Sequence, residues 1–595
     1  MIYVVVFFTS VAILAYEITF VRVFSFAQWQ NISSVIITMA LLGSGAAGTI
    51  VTLKNKYINA NFSSSLFILA YIFPLFTACG FIISVIVPVN PYSMDFSISS
   101  ILCALLYFIL MCLPFFAGSA IVCVSFMRKA PAPAYAVNLF GSGTGGILPI
   151  ALSSVMHPYS IMAVIMCISL IPVVILTPGR KWRGAKISVA VLIVIIMCAV
   201  LTSGSPGFRS VSQYKPVSGA LNMPSARIIQ EAYSPLSVIQ VVEADALRST
   251  SGLSIVSPYH VPVQREIFFD GDSPSPITPY KGDRKDIMHL EHLPTWLPYI
   301  LKPGSDRGSV LIIGAGGGEP LLKALMAGFS SIDAVEKNSG VIDLMTHDNA
   351  CYSGGIYLDK RVSIYNEDGR SFAARSGRKY DLIDISMLDT FNSAASGLSA
   401  LNESYLYTVE SFSEFCCCLS DRGILSVTRW ITTPPGDSLK IFNTAVESLR
   451  RMKISEPGAH IMAIRSVQTI TIMVSPSPFT GNDVKAVKEF CASRLFDPVY
   501  YPGIRPREGE TNIRQDNNIL FRSFTALLST GHENFTEEYD WNISVPTDDR
   551  PYFYNFFKPA VMNYIKKYGT SQVPVTEWGY LLLIIILIPV SLIAL

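Results

Sequence analysis

Charged residues are scarce in this sequence. Asp, Glu, Lys and Arg make up only 15% of its 595 residues, whereas hydrophobic residues make up 51%. A typical soluble protein carries about 25% charged residues. The composition therefore excludes an ordinary soluble protein and indicates a membrane protein.

Cysteine pairs with metal-binding spacing are also missing. The eleven cysteines form no CxxC pair and no His/Cys ligand pattern. Zinc sites and disulfide frameworks depend on such spacings, so neither is indicated and we expect no metal. The run Cys416, Cys417 and Cys418 is interpreted as small apolar core residues of an amphipathic helix.

Long apolar runs, in contrast, are abundant. A helix needs about 20 predominantly apolar residues to cross a bilayer. The sequence predicts a seven-span transmembrane region in residues 1–207, with spans at 2–24, 33–53, 64–88, 98–127, 134–156, 159–178 and 187–203. An eighth apolar run, 576–595, ends without polar flanking residues, which favours a truncated chain. We expect an integral membrane protein with the lipid bilayer as a partner.

The charged part of the chain lies between the seventh and eighth spans. Residues 208–300 contain short β-rich runs divided by Pro, Gly and Ser, which predict a small antiparallel subdomain. Residues 301–500 alternate strand-like and helix-like segments, the pattern of a parallel sheet covered by helices on both faces. Residues 501–575 are interpreted as a C-terminal extension.

A glycine-rich turn follows the first strand of this alternating region. The segment VLIIGAGGGEP, residues 310–320, predicts a buried strand, a turn and the start of a helix. Glycines let the backbone approach a ligand closely, and a helix N-terminus presents unpaired N–H groups to it. We therefore predict that the turn binds a nucleoside compound through Gly314, Gly316 and Gly318.

Acidic residues follow the next two strands. Glu336 ends the second strand about 20 residues after the turn, where a carboxylate can accept hydrogen bonds from both ribose hydroxyls. The third strand leads into Asp368 and Gly369, and we expect Asp368 to hold the adenine amino group. The alternative is a doubly wound domain whose glycine turn only packs tightly.

These motifs resemble the spermidine synthase family of aminopropyltransferases. The resemblance rests on VLIIGAGGGEP, AVEKN, NEDGRSF, YDLIDISMLD and LYTVESF, and covers roughly residues 225–480. It implies a class I methyltransferase-like (Rossmann-like) α/β domain preceded by a small antiparallel β region. The apolar spans resemble those of bacterial membrane proteins that carry such a domain, which implies the bacterial inner membrane. The implied donor is S-adenosylmethionine or decarboxylated S-adenosylmethionine.

The sequence departs from the family where the acceptor amine would bind. The resemblance implies a catalytic Asp at the end of the fourth strand, but Ser386 stands there, with Asp389 at the family's second Asp. A serine cannot act as that base unaided. Gly317 replaces an Asp of the glycine turn that holds the amine. The remaining candidate catalytic acids are Asp389, Asp384 and Glu319, although Asp384 could equally be satisfied inside the fold.

Three functions follow from this mixture of matches and departures. The first is a membrane-bound transferase that passes an aminopropyl, alkyl or methyl group from an S-adenosyl donor to an unknown acceptor. The second is a transport or sensing protein whose domain binds a nucleoside or polyamine without turnover. The third is a catalytically dead structural domain. We expect a small-molecule nucleoside ligand and no nucleic acid, and the sequence leaves open whether the chain forms a homodimer.

Basic residues predict the orientation in the membrane. They lie in the loops that follow the second, fourth and sixth spans, and the positive-inside rule assigns these loops to the cytoplasm. An odd number of spans then places the charged domain on the non-cytoplasmic side, whereas adenosyl compounds are made in the cytoplasm. Either one predicted span does not cross, or the ligand is supplied across the membrane. We favour the non-cytoplasmic side, because the charge asymmetry is a direct signal of orientation.

Overall fold

The chain is divided into two compact units in a computed structural model. Among the described residues, Met1–Ser218 and Tyr233–Val238 belong to one unit, and Gly219–Ala232 and residues 239–559 belong to the other. The structure describes residues 1–27, 33–87, 98–177, 211–213, 215–301, 308–388, 403–432, 434–506, 508–509, 512–513, 518–529 and 531–559. The predicted spans 187–203 and 576–595 lie outside these ranges.

The first unit is built from apolar helices. They are α1 (Ile2–Ala27), α2 (Ser33–Leu53), α3 (Asn55–Ala60), α4 (Phe62–Ile86), α5 (Ile98–Phe126), α6 (Pro131–Leu152) and α7 (Pro158–Leu176). Among the described residues, five helical segments are long and apolar enough to cross a membrane: Ile2–Ala27, Ile36–Leu53, Phe62–Val85, Leu105–Phe126 and Pro158–Leu176. These segments indicate membrane association. Helix α6 covers most of the predicted span 134–156 but is not one of the five.

Small residues bring α6 against α1. A Cβ atom at Gly141 would lie 2.6 Å from the carbonyl oxygen of Phe7, and one at Gly145 would overlap the carbonyl oxygen of Val11. Both contacts advance by four residues in the same direction, so the two helices run parallel, side by side. Glycine permits this approach because it has no side chain to hold the backbones apart.

A small antiparallel sheet follows the apolar helices and the short helix α8 (Pro216–Leu221). Its four strands lie in chain order: β1 (Arg227–Tyr233), β2 (Val238–Glu243), β3 (Arg265–Phe269) and β4 (Asp272–Ile277). Strand β3 pairs antiparallel with both β2 and β4. The antiparallel β region predicted from the sequence is confirmed.

An eight-stranded mixed sheet forms the centre of the second unit. Its order is β12-β10-β11-β9-β8-β5-β6-β7, with β5 (Ser309–Ile313), β6 (Ser331–Val335), β7 (Val362–Tyr365), β8 (Tyr380–Ser386), β9 (Leu419–Trp430), β10 (Ile461–Arg465), β11 (Thr469–Val474) and β12 (Asp497–Tyr500). The strands from β9 to β7 in this order are parallel. The strand order reverses between β5 and β8, and ligands of open α/β sheets bind at the carboxyl ends of strands at such a switch point.

Helices cover both faces of this sheet. They are α9 (Leu297–Leu301), α10 (Glu319–Ala327), α11 (Ser339–Asp343), α12 (Gly369–Ser376), α13 (Val409–Cys417), α14 (Asp437–Arg451), α15 (Gly481–Arg494), α16 (Ile519–Leu528) and α17 (His532–Glu538). Alternate residues of β5 enter different cores: Val310 and Ile312 face one, and Leu311 and Ile313 face the other. The predicted α/β fold class, a doubly wound sheet after a small antiparallel region, is confirmed.

An ion-pair network ties the C-terminal extension to this sheet domain. Arg370, in the first turn of α12, donates to Glu414 from Nε at 2.8 Å and to Asp548 from Nη1 at 2.7 Å. Its side chain is 15% exposed, so the guanidinium is partly shielded from water. A planar guanidinium can bind two carboxylates at once, which fixes the extension on the domain at this point.

Candidate functional site

The glycine turn lies at the carboxyl end of β5, beside the switch point. Gly314, Gly316 and Gly318 have φ angles of +82°, +50° and +93°, in the left-handed region that favours glycine. A Cβ atom at Gly314 would overlap the Leu388 side chain, and one at Gly318 would overlap Ile356. Helix α10 begins directly afterwards, so its first N–H groups face the same edge of the sheet.

The Glu336 carboxylate connects this turn to the end of β6 through hydrogen bonds. Its Oε2 accepts a hydrogen bond from Gly316 N at 3.1 Å, and its Oε1 accepts one from Asn338 N at 2.9 Å. Burial raises the pKa of Glu336 above its usual value, although these N–H groups oppose the shift. A carboxylate oxygen has two lone pairs, so each can also accept from a ligand hydroxyl.

Asp368 and Gly369 stand at the neighbouring strand end, after β7. Asp368 caps α12, because its Oδ1 accepts from Ser371 N at 3.0 Å. A Cβ atom at Gly369 would overlap the side chain of Ile313, so glycine lets α12 pack on the end of β5. The Asp368 side chain is exposed, and its second carboxylate oxygen is available to a ligand at this edge.

An asparagine that sequence reasoning did not single out joins two of these strand ends. Asn366 Nδ2 donates to the carbonyl oxygens of Glu336 at 2.9 Å and Lys337 at 3.0 Å. The structure thus brings the glycine turn, Glu336 and the Asp368 loop to one edge of the sheet. Asn366 could have been found from the sequence, because it stands two residues before Asp368 at the same strand end.

Strand β4 fills the space that a side chain at residue 317 would need. Gly317 N donates to Ser275 Oγ at 2.8 Å. A Cβ atom at Gly317 would overlap the Pro276 carbonyl oxygen and lie 2.6 Å from its carbon. The β4 backbone therefore leaves no room for a side chain at residue 317.

A buried cluster lies beneath the turn, on the face of β8 towards α9 and α10. Asp384 is 1% exposed and its Oδ2 accepts from the Tyr299 hydroxyl at 2.6 Å. Lys323 Nζ lies 3.9 Å from the same oxygen and 3.6 Å from Glu319 Oε1. The Ser386 hydroxyl donates to Asp384 Oδ1. Three of the residues singled out from the sequence therefore meet here.

The cluster also contains two residues that sequence reasoning missed. Lys323 is fully buried one helical turn after Glu319, and Tyr299 lies in α9. Burial, together with the charge of Asp384, raises the pKa of Tyr299 well above its usual value. Tyr299 is therefore a hydrogen-bond donor at neutral pH. A lysine inside the apolar stretch LLKALM was the signal that could have revealed it.

One candidate catalytic residue lies beyond the part of the chain that the structure describes. Asp389 lies outside the described residues, so its role as a catalytic acid stays a prediction. Within the described residues, no group of three or more His, Cys, Asp or Glu side chains is arranged to hold a metal ion.

Comparison with known proteins gives one sequence match and several structural ones. The chain is 27% identical over 143 residues to a polyamine aminopropyltransferase of Thermoplasma volcanium, which covers 24% of this chain and 48% of the relative. This chain carries a spermidine synthase-like domain. The matched part spans about half the length of that relative, and no protein-family model matches the chain.

The structural matches are more distant. Spermidine synthase from Thermotoga maritima is 16% identical, with a TM-score of 0.30, over 57% of this chain and 87% of that chain. Human methyltransferase-like protein 13, in complex with SAH, is 15% identical, with a TM-score of 0.26, over 35% of this chain and 91% of that chain.

Proposed function

We propose that the chain is a membrane-bound transferase that binds an S-adenosyl nucleoside in its spermidine synthase-like domain. It passes an aminopropyl, alkyl or methyl group to an acceptor. The observation that carries the proposal is the hydrogen bond from Gly316 N to Glu336 Oε2, 3.1 Å long. This bond joins the glycine turn to an acid at the next strand end, a pairing suited to ribose.

The residues at this edge fit the nucleoside. Glu336 would accept hydrogen bonds from the ribose hydroxyls, and Asp368 would accept one from the adenine amino group. The glycine turn would let the backbone approach the sugar. When bound, S-adenosylmethionine or its decarboxylated form supplies a carbon activated by a positively charged sulfonium.

The acceptor side is less suited to a long polyamine. Gly317 offers no carboxylate to a second ammonium group, and the β4 backbone at Pro276 lies against it. Among the described residues, no acid at this turn position would bind the far charge of a diamine such as putrescine. We therefore propose that putrescine is a poor acceptor and that the nucleophile approaches at the carboxyl end of β8, near Ser386.

A second function is favoured by this packing of β4 on the turn. Since β4 fills the place of the amine-binding acid, the domain could bind a nucleoside without turning it over, in a transport or sensing protein. Binding without release of a thioether product would support this alternative. Release of methylthioadenosine or S-adenosylhomocysteine would support the transferase.

We also propose that the domain lies on the non-cytoplasmic side of a bacterial inner membrane. Basic residues follow the second, fourth and sixth predicted spans, at Lys54, Lys56, Arg128, Lys129, Arg180, Lys181, Arg183 and Lys186. The parallel packing of α6 on α1 supports a crossing by α6, because the first and fifth spans run in the same direction when every intervening helix crosses.

Calorimetry on the full-length protein in lipid nanodiscs tests the proposed binding. The ligands are S-adenosylmethionine, decarboxylated S-adenosylmethionine and methylthioadenosine, each titrated into the same preparation. We expect saturable binding of at least one, with guanosine as the negative control. No binding of any adenosyl compound by a folded preparation would refute the proposed function.

A further inference from the structure

Ser386 is connected to a buried carboxylate. Residues 384 and 386 lie on the same face of β8, because side chains alternate along a strand. Asp384 is 1% exposed, whereas Ser386 is half-buried at the end of the strand. The hydroxyl of Ser386 donates to Asp384 Oδ1. The serine therefore links the carboxyl edge of the sheet to an acid in the core.

A tyrosine hydroxyl and a lysine ammonium lie beside the second carboxylate oxygen of Asp384. Its Oδ2 accepts from the Tyr299 hydroxyl at 2.6 Å and lies 3.9 Å from Lys323 Nζ. Lys323 is fully buried, and a buried ammonium needs a counter-charge. With Asp384 as an acceptor, the Ser386 proton points to the carboxylate, and a lone pair of Ser386 Oγ remains for an acceptor substrate.

We propose that Ser386 and Asp384 together take the proton that the missing family aspartate would have taken. This inference rests on the proposed function. A primary ammonium of the acceptor gives its proton to Ser386 Oγ while the proton of Ser386 passes to Asp384 Oδ1. The neutral amine nitrogen then forms a bond to the donor carbon, and the carbon–sulfur bond breaks with its electron pair on sulfur. The products are a thioether and a secondary ammonium, and Asp384 returns its proton to solvent.

Glu319 is a second acid beside Lys323 during this transfer. Once Asp384 is protonated, Lys323 still has the Glu319 carboxylate, whose Oε1 lies 3.6 Å from Nζ. The charged and titratable groups that face Asp384 are thus Lys323 and Glu319 from α10 and Tyr299 from α9. Lys323 therefore keeps an opposite charge beside it at both stages.

The substrate class follows from the same geometry. Both described acids of this cluster, Asp384 and Glu319, lie within 3.9 Å of the Lys323 ammonium, so we expect neither to bind a second ammonium. An acceptor with a single amine fits this site better than a diamine. Butylamine and putrescine, which differ only in that second amine, are therefore the two acceptor probes.

The experiment compares Ser386→Ala with a matched variant, Ser420→Ala. Ser420 Oγ donates to Asp381 Oδ1 at 2.9 Å, so it forms the same kind of pair near the opposite end of β8. Full-length protein in nanodiscs is assayed for methylthioadenosine release from decarboxylated S-adenosylmethionine with each amine. Calorimetry measures the Kd of methylthioadenosine and then the Kd of butylamine for the methylthioadenosine-loaded protein.

We expect Ser386→Ala to lower kcat by about 100-fold or more, the usual contribution of a general base. Its affinity for butylamine should fall about tenfold, since a hydrogen bond to a charged group is lost, while its Kd for methylthioadenosine stays unchanged. Ser386→Thr, which keeps a hydroxyl, should retain most activity. Asp384→Asn should lower kcat like Ser386→Ala, and Ser420→Ala should match the wild type.

Two results would overturn the inference. The first is a Ser386→Ala protein with the wild-type kcat and butylamine affinity. The second is a wild type that binds methylthioadenosine but releases no product with either amine. In both cases adenosyl binding is intact, so the proposed nucleoside site survives. Absence of adenosyl binding by the wild type would instead refute the proposed function itself.

Discussion

Replacing Glu336 by alanine is expected to weaken adenosyl binding. The Glu336 carboxylate accepts from Gly316 N at 3.1 Å and Asn338 N at 2.9 Å, so it both faces the proposed ribose position and holds the turn. A hydrogen bond to a charged group contributes about 1.5–3 kcal/mol net. Loss of the ribose contacts should therefore cost about 1–3 kcal/mol, or roughly 5- to 150-fold in Kd.

The assay is calorimetric titration of methylthioadenosine into full-length protein in nanodiscs. Glu367→Ala is the matched control, because Glu367 lies beside Asp368 but pairs with Arg375 at the surface. We expect its affinity to equal that of the wild type. A folded Glu336→Ala protein with wild-type affinity would contradict our position for the ribose, whatever the control shows.

The raised pKa of Glu336 also predicts how the stability of the protein depends on pH. Burial raises the pKa of Glu336 above its usual value of 4.5. A carboxyl group with a raised folded-state pKa contributes stability below its unfolded pKa and loses it as pH rises through the folded pKa. Relative to Glu336→Gln, the wild type should therefore become less stable as pH rises from the usual pKa of a glutamate towards neutrality. Ligand affinity should rise over the same window, since the ionised carboxylate is the better acceptor.

Three further predictions concern the turn, the extension and the membrane. Gly317→Asp should lower the thermal unfolding midpoint, because its side chain would meet the backbone of Pro276, and it should not create putrescine transfer. A variant that is as stable as the wild type and transfers to putrescine would contradict this packing. Arg370→Met should cost about 1–3 kcal/mol of unfolding free energy, measured in urea, by leaving Asp548 without its ionic partner; an unchanged midpoint would show that the network is fully screened. Alkaline phosphatase fused after residue 210 should be active and green fluorescent protein dark; the reverse pattern would mean that one predicted span does not cross.

Local sequence patterns were sufficient to place the glycine turn and the two acids that follow it at one edge of the sheet. A buried strand, a glycine turn and an acid about 20 residues later lie close together in the chain, and parallel strands carry their ends to one edge. For this reason Glu336 could be placed beside the glycine turn from the sequence, and its role in binding ribose stays a prediction. Asp368 could be placed in the same way, because it follows the next strand.

The contacts of Gly317 and Asp384 could not be predicted because they join distant parts of the chain. The contact of Gly317 with Pro276 joins the turn after β5 to strand β4 of the other sheet, and no periodicity reports it. Tyr299 and Asp384 are 85 residues apart in the chain. From the sequence, Gly317 was only a missing acid, and Asp384 was a candidate catalytic acid that could equally be satisfied inside the fold.

Position in the fold gives the buried cluster a functional meaning. Burying Asp384 and Lys323 carries a desolvation cost that a hydrophobic pair of similar size would avoid. Such a pair in the middle of a sheet could serve packing alone, but this one continues through Ser386 to the carboxyl edge at the switch between β5 and β8. Ligands of this fold class bind at that edge. The desolvation cost of Asp384 and Lys323 therefore falls beside the edge where a ligand would bind. For this reason we propose that the cluster takes part in the reaction.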